Sequence, residues 1–178
     1  IFGNLNAYLG KATFGLFYAN TFSPFAGVNT GAGSVRAAGS DIFGNTVPNV
    51  TANTVAFQAR YDFSPKFQLA GWVGYTNATS DVPGNAEIIN YAVQLLFPDL
   101  FREGNLAALT FGQQPTVVRS GAGIVADRGT GFHIEGSYRF QVNKYISITP
   151  GVIYLTRPDQ DPANPGAVVG VLRTSFVF

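Results

Sequence analysis

The sequence predicts an all-β chain, built as an antiparallel up-and-down transmembrane β-barrel, and three observations carry that expectation. Apolar and polar residues alternate with period two through nearly every structured stretch, the signature of strands with one apolar face. The 178 residues include 21 glycines and 10 prolines spread along the chain, and 14% are aromatic, which disfavours long helices and favours strands and turns. Short connections alternate strictly with long ones, as in barrels whose periplasmic turns are tight and whose outer loops are long.

The elements follow in order. Residues 1–7 read as the tail of a strand, and 12–20 as its partner, with Phe14, Leu16 and Tyr18 set against Thr13, Gly15, Phe17 and Ala19. The chain is therefore expected to begin inside a hairpin. Between Thr54 and Phe63, Val55, Phe57, Ala59, Tyr61 and Phe63 alternate with Gln58, Arg60 and Asp62. After Ser64-Pro65-Lys66, Leu69, Gly71, Val73 and Tyr75 return against Gln68, Ala70, Trp72 and Gly74. A second hairpin sets Tyr91, Val93, Leu95 and Phe97 beside Ala107, Leu109 and Phe111, with Gln94 and Leu96 on the other face. A third pairs Ile134, Tyr138 and Phe140 with Ile148, Val152 and Tyr154 across Asn143-Lys144, and leaves His133, Glu135, Ser137, Arg139 and Gln141 on the opposite face. Residues 168–178 form a last strand that carries Arg173 opposite Val168, Leu172, Phe176 and Phe178.

Tight turns are expected at 8–11, 64–66, 98–104 and 143–144, and longer loops at 21–53, 77–87, 114–131 and 157–167. On a barrel the long loops would face the cell exterior and the C-terminus the periplasm. Phe63, Phe67, Phe97, Phe140 and Phe178 would form one aromatic girdle, and Tyr18, Tyr75, Tyr91, Phe132 and Tyr154 the other. A soluble β-sandwich also alternates, but it rarely bands aromatics at both strand ends.

Composition closes other classes. Eleven basic and ten acidic residues leave a net charge of +1, with no electrostatic footprint for nucleic acid. Only 12% of residues are charged, against about 25% in ordinary soluble domains. An apolar exterior accounts for that deficit. No stretch approaches the ~18 apolar residues of a membrane helix. There is no cysteine, hence no disulfide and no thiolate metal site, and there is no methionine or signal segment at the start. The chain reads as one processed or partial domain over 1–178.

Four strings carry a family resemblance: FSPKFQLAGWVGYTNA (63–78), INYAVQLLFPDLFREGNLAALTFGQQP (89–115), HIEGSYRFQVNKYISITPGVIYLTRPDQD (133–161) and VVGVLRTSFVF (168–178). NYAVQLLFPDL with EGNLA, and ISITPGVIYLT before a strand ending in phenylalanine, are the most distinctive. They resemble the C-terminal half of cyanobacterial outer-membrane porins of the OprB type. The resemblance implies a barrel of about 16 strands, of which this chain supplies eight or nine. It also implies a homotrimer in outer-membrane lipid, an N-terminal half of the barrel, a preceding S-layer homology domain, and passage of carbohydrate or of inorganic ions including iron. No cofactor or bound metal is expected.

A diffusion channel needs a polar lumen, so the candidates for its wall are Gln58, Arg60, Asp62, Gln94, His133, Glu135, Ser137, Arg139 and Arg173. Loop 21–53, carrying Arg36 and Asp41, is long enough either to constrict the lumen or to lie on the surface. Trp72, Phe17 and Leu96 share the polar parity, either packing against an inserted loop or offering a stacking platform. The second function class is a soluble β-barrel that holds a small ligand or carbohydrate. Enzymatic readings fail on inventory: His133 and Ser137 lie ~13 Å apart along one strand, too far for a base and its nucleophile. Asp159, Asp161 and Asn164 lack the spacing of a calcium loop, and the glycine-rich stretch 121–131 lacks the GK[ST] of a phosphate loop.

Overall fold

A computed structural model describes residues 1–24, 32–38, 49–81, 83–121 and 125–177. Nine strands form one antiparallel sheet in strict chain order: β1 (Phe2–Leu9), β2 (Ala12–Ser23), β3 (Val50–Ser64), β4 (Phe67–Ser80), β5 (Asn85–Pro98), β6 (Leu106–Ser120), β7 (His133–Asn143), β8 (Ile146–Leu155) and β9 (Ala167–Phe176). A single helical turn, α1 (Val35–Ala38), interrupts the β2–β3 connection. The sheet is open, with β1 and β9 as its two edges.

Register carries the period-two alternation across all nine strands. The row Phe14, Ala59, Gly71, Val93, Phe111, Ile134, Tyr154, Val168 crosses from β2 to β9 on one face. That face is apolar and exposed: Phe57, Val73, Val93, Leu109, Phe111, Ile134, Val152 and Tyr154 each present large apolar surface. Rings pack in a run along it, Tyr61 edge-on to Phe63, and Phe63 stacked on Phe67 and Phe67 on Phe97, at 4.7, 5.3 and 5.5 Å between centroids. Tyr138 and Phe140, at 4.5 Å, continue this collar at the short-turn end, while Phe111 and Phe132 stack nearer the long loops. Phe178, expected in the same collar, lies outside the described residues.

Turn chemistry matches turn length. Gly10, at φ +60°, takes the left-handed position of the two-residue turn 10–11. At turn 144–145, Asn143 Oδ1 accepts from the backbone N–H groups of Tyr145 (2.8 Å) and Ile146 (3.0 Å). In the longer turn 99–105, Asp99 Oδ1 accepts from Gly104 N at 2.7 Å, and the Tyr138 hydroxyl donates to Leu100 O at 2.6 Å. Prolines stand at some of the irregularities. Pairing of β7 with β8 lapses between Ser137–Gly151 and Phe140–Ile148, where Pro150 has no N–H to donate.

Two expected loops are shorter than their composition implies. The connection placed at 77–87 is only 81–84, because Asn77, Ala78 and Thr79 stay paired with Glu87, Ala86 and Asn85. Likewise β6 runs to Ser120, well into the expected loop 114–131, with register shifts beside Ile89 that accommodate Pro115. The reason is tertiary. Val50, Ala52, Ala78, Ala86, Ile88 and Val117 close around Ala37 of α1 in a small buried cluster, giving these strand ends an interior that alternation alone does not reveal.

Candidate functional site: a polar face with an inserted segment

Opposite the apolar face, register aligns a second set of rows. Gln58 pairs across to Trp72, Trp72 to Ala92, Ala92 to Gly112 and Gly112 to His133; one row along, Arg60, Ala70, Gln94, Thr110 and Glu135 follow one another. All nine wall candidates sit on this face. Their charges do not act alike. Arg60 clamps Asp62 through two bonds, Nε–Oδ1 at 2.7 Å and Nη2–Oδ2 at 3.3 Å, so the two nearly cancel at a distance. His133 Nε2 lies 3.1 Å from Glu135 Oε2. Gln94 donates to Thr110 Oγ1 at 3.2 Å. Arg139 and Arg173 have no carboxylate within ion-pair distance among the described residues. They flank Thr149 on β8: Arg173 faces it directly, and Ser137–Gly151 and Gln141–Ser147 bracket Arg139 on the other side.

Residues 32–38 fold onto this polar face at its long-loop end. The irregularity at Pro115 turns its carbonyl out of the ladder to accept from Ser34 N at 3.1 Å. Gly33, at φ +108°, lies so close over Pro115 that a Cβ there would meet the proline carbonyl at 2.3 Å, so no other residue fits. Asp127 then clasps the segment: its Oδ2 accepts from Ser34 Oγ and from Val117 N, each at 2.7 Å, and Arg36 Nη1 stands 3.7 Å from its Oδ1. From the next loop, Asp159 Oδ1 accepts Val35 N at 2.6 Å. Beneath Ala32 a cavity of about 280 Å³ is lined by Trp72, Asn90, Gln94, Gln113, His133 and Glu135. Trp72 donates through Nε1 to Asn90 Oδ1 at 3.2 Å and remains exposed.

The profile of the family described as "Carbohydrate-selective porin, OprB family" matches residues 4–178. The chain belongs to the OprB porin family. Two cyanobacterial relatives are similar to this OprB-family chain. The uncharacterized protein sll0772 of Synechocystis sp. is 31% identical over 92% of this chain and 33% of its own length. The uncharacterized protein alr4550 of Nostoc sp. is 33% identical over 72% of this chain and 22% of its own length. The chain therefore spans a third or less of the relatives it matches. No solved structure matches it.

Of the two constriction candidates, Arg36 lies in the inserted segment and Asp41 lies outside the described residues. Phe17 and Trp72 border a second pocket with Gln58, whereas Leu96 sits across from Ala108 and Gln68. Sequence reasoning missed Asn90, Thr110 and Thr149, although their parity would have found them. It also missed Asp127, and it weighed Asp159 only as part of a loop without calcium spacing; for the roles of these two no local signal exists, because their partners lie 93 and 124 residues away.

The clasp has a pH signature. The Asp127 side chain is only 1% exposed, and burial raises its carboxyl above the usual carboxylate range, against the lowering effect of Ser34, Val117 and Arg36; the nearby Asp159 charge adds to the rise. Because the folded value exceeds the unfolded one, acidification through this window adds stability through Asp127 rather than removing it. The effect is local, because the neutral carboxyl keeps its acceptor oxygens toward Ser34 and Val117 and loses only the attraction to Arg36. Asp127→Ala, which removes those acceptors, should therefore raise hydrogen exchange at the amides of 34–38 about fivefold while β3–β5 keep their protection, the scale of one hydrogen bond, and Asp127→Asn, which removes only the buried charge, should not. Wild-type protection in Asp127→Ala would show that the clasp does not hold the segment.

Proposed function

We propose that this chain forms part of the wall of an outer-membrane channel for passive diffusion of small hydrophilic solutes, carbohydrates among them, without covalent chemistry. The observation that carries the reading is the division of one sheet into an exposed apolar face with aromatic collars and a polar face onto which a loop segment folds. A water-soluble domain would have to leave Phe57, Val73, Phe111 and Val152 in water, an apolar area far beyond what soluble monomers expose. In a bilayer that face is the solvated one. That exposed apolar face weighs against a soluble ligand-binding barrel.

The family description supports carbohydrate as cargo. Passage of inorganic anions is supported by a wall carrying amides, hydroxyls and the uncompensated Arg139 and Arg173; passage of iron is supported by the family resemblance alone. The barrel we propose is completed by strands from the rest of a longer polypeptide and assembles as a trimer in cyanobacterial outer-membrane lipid, which the greater length of the relatives and the family resemblance support. Reconstituted full-length protein should give stepwise conductance in planar bilayers and swelling of liposomes in isotonic monosaccharide. Absence of both from vesicles that contain inserted protein would overturn the proposal.

A further inference from the structure

The three lysines of the chain are Lys11, Lys66 and Lys144. One stands in each of the two-residue turns, 10–11, 65–66 and 144–145. Strict up-and-down order puts all of these turns at the same end of the sheet. The remaining short turn, 99–105, adds Arg102 but also Asp99 and Glu103, so the lysines set the sign of this rim. All three are exposed, and none has a carboxylate within ion-pair distance among the described residues. At the opposite end most cations are matched. Arg36, Arg119 and Arg128 there stand 3.6–3.7 Å from Asp127, Glu87 and Asp161, and Arg157, without a carboxylate at that distance among the described residues, donates to Thr130 O at 3.4 Å.

These ammonium groups also border the aromatic collar. Lys11 Nζ donates to Phe63 O at 3.2 Å, Lys66 adjoins Phe67, and Lys144 Nζ sits 4.7 Å from the Tyr145 ring centroid. Aromatic collars sit at headgroup depth, and lysines beside them extend their charge into the phosphate layer. We propose that the short-turn rim is a binding surface for anionic phospholipid headgroups, with Lys11, Lys66 and Lys144 each contacting phosphate in the leaflet at that end. A compact, rotatable ammonium suits a phosphate whose position is not fixed in advance. Charge complementarity selects this occupant: three cations without a carboxylate partner among the described residues, at the edge of an apolar band, facing a layer of anions.

The inference rests on the channel reading only in needing the apolar face to sit in a bilayer. The test uses full-length protein in phosphatidylcholine vesicles carrying trace spin-labelled phosphatidylglycerol or phosphatidylcholine. Wild type should associate with the anionic label in preference to the neutral one by about fivefold, the scale for one basic residue at an anionic surface. K11Q/K66Q/K144Q should remove the preference, and R119Q/R128Q/R157Q, at the other end, should keep it. Should the lysine variant fail to insert, wild type gives the same answer, since its preference must fall as salt rises from 0.1 to about 1 M. Inserted wild type with no preference, a salt-independent preference, or equal loss in both variants overturns the lipid rim and leaves the barrel standing. Failure of wild type to insert in any vesicle overturns both.

Discussion

With Arg139 and Arg173 both changed to glutamate, the reversal potential of the channel under a salt gradient is expected to move toward cation preference by about tenfold in permeability ratio. The magnitude follows from charge and distance. Each unit charge ~10 Å from a permeating ion in water contributes about 0.4 kcal/mol before screening, and the double change alters four charge units. Salt at 0.1 M, with a screening length of about 10 Å, reduces the shift without abolishing it. The control is the exchange R60D/D62R. Because Arg60 and Asp62 already bind each other at 2.7 Å, swapping them leaves the long-range field nearly unchanged, and the potential should stay put. A potential unmoved by the Arg139/Arg173 change would show that the polar face does not border the ion path.

The second large effect concerns the two edges of the sheet. In an antiparallel run of nine strands, β1 and β9 point the same way, so direct closure would require one parallel pair. Their free backbone groups, left in lipid, would each cost several kcal/mol. Residues 1–178 produced alone are therefore expected to give no steady conductance, and residues 1–178 produced together with the remainder of the full-length polypeptide should recover it. The expected loss is complete. Well-resolved channels from residues 1–178 alone, with Phe2–Leu9 protected from hydrogen exchange, would mean that the edges find each other and that no further strands are needed.

Much of this architecture was legible in the sequence because a strand between lipid and water is constrained at every residue. Arg60, Glu135, Arg139 and Arg173 fell on the polar face by parity alone, and the register places them there together. Legibility ended where a residue answers to something distant in the chain. Ala78, Ala86 and Ile88 look like loop or lipid-facing residues until α1 covers them, and Asp127 is one acid in a glycine-rich loop until Ser34 arrives from 93 residues away. Pairing of charges was the other blind spot. Alternation gives each side chain's face but not its neighbour, so the mutual cancellation of Arg60 and Asp62 shows only in the folded sheet.

Strict chain order has a consequence for how such a wall changes size. Every strand is hydrogen-bonded only to its immediate neighbours in sequence, and the described tight turns settle their hydrogen bonds within themselves or on the next strand. Adding or excising one hairpin thus disturbs a single seam, with the registers of the other pairs carried over intact. Barrel diameter grows roughly linearly with strand number, so circumference is adjustable in steps of one hairpin. The stretch from β2 to β9 resists such steps, since α1 and its clasp tie the β2–β3, β6–β7 and β8–β9 loops together. Gain and loss of hairpins is therefore least costly beyond β1, outside the strands that these loops join, and it is there that pore gauge is freest to drift over evolutionary time.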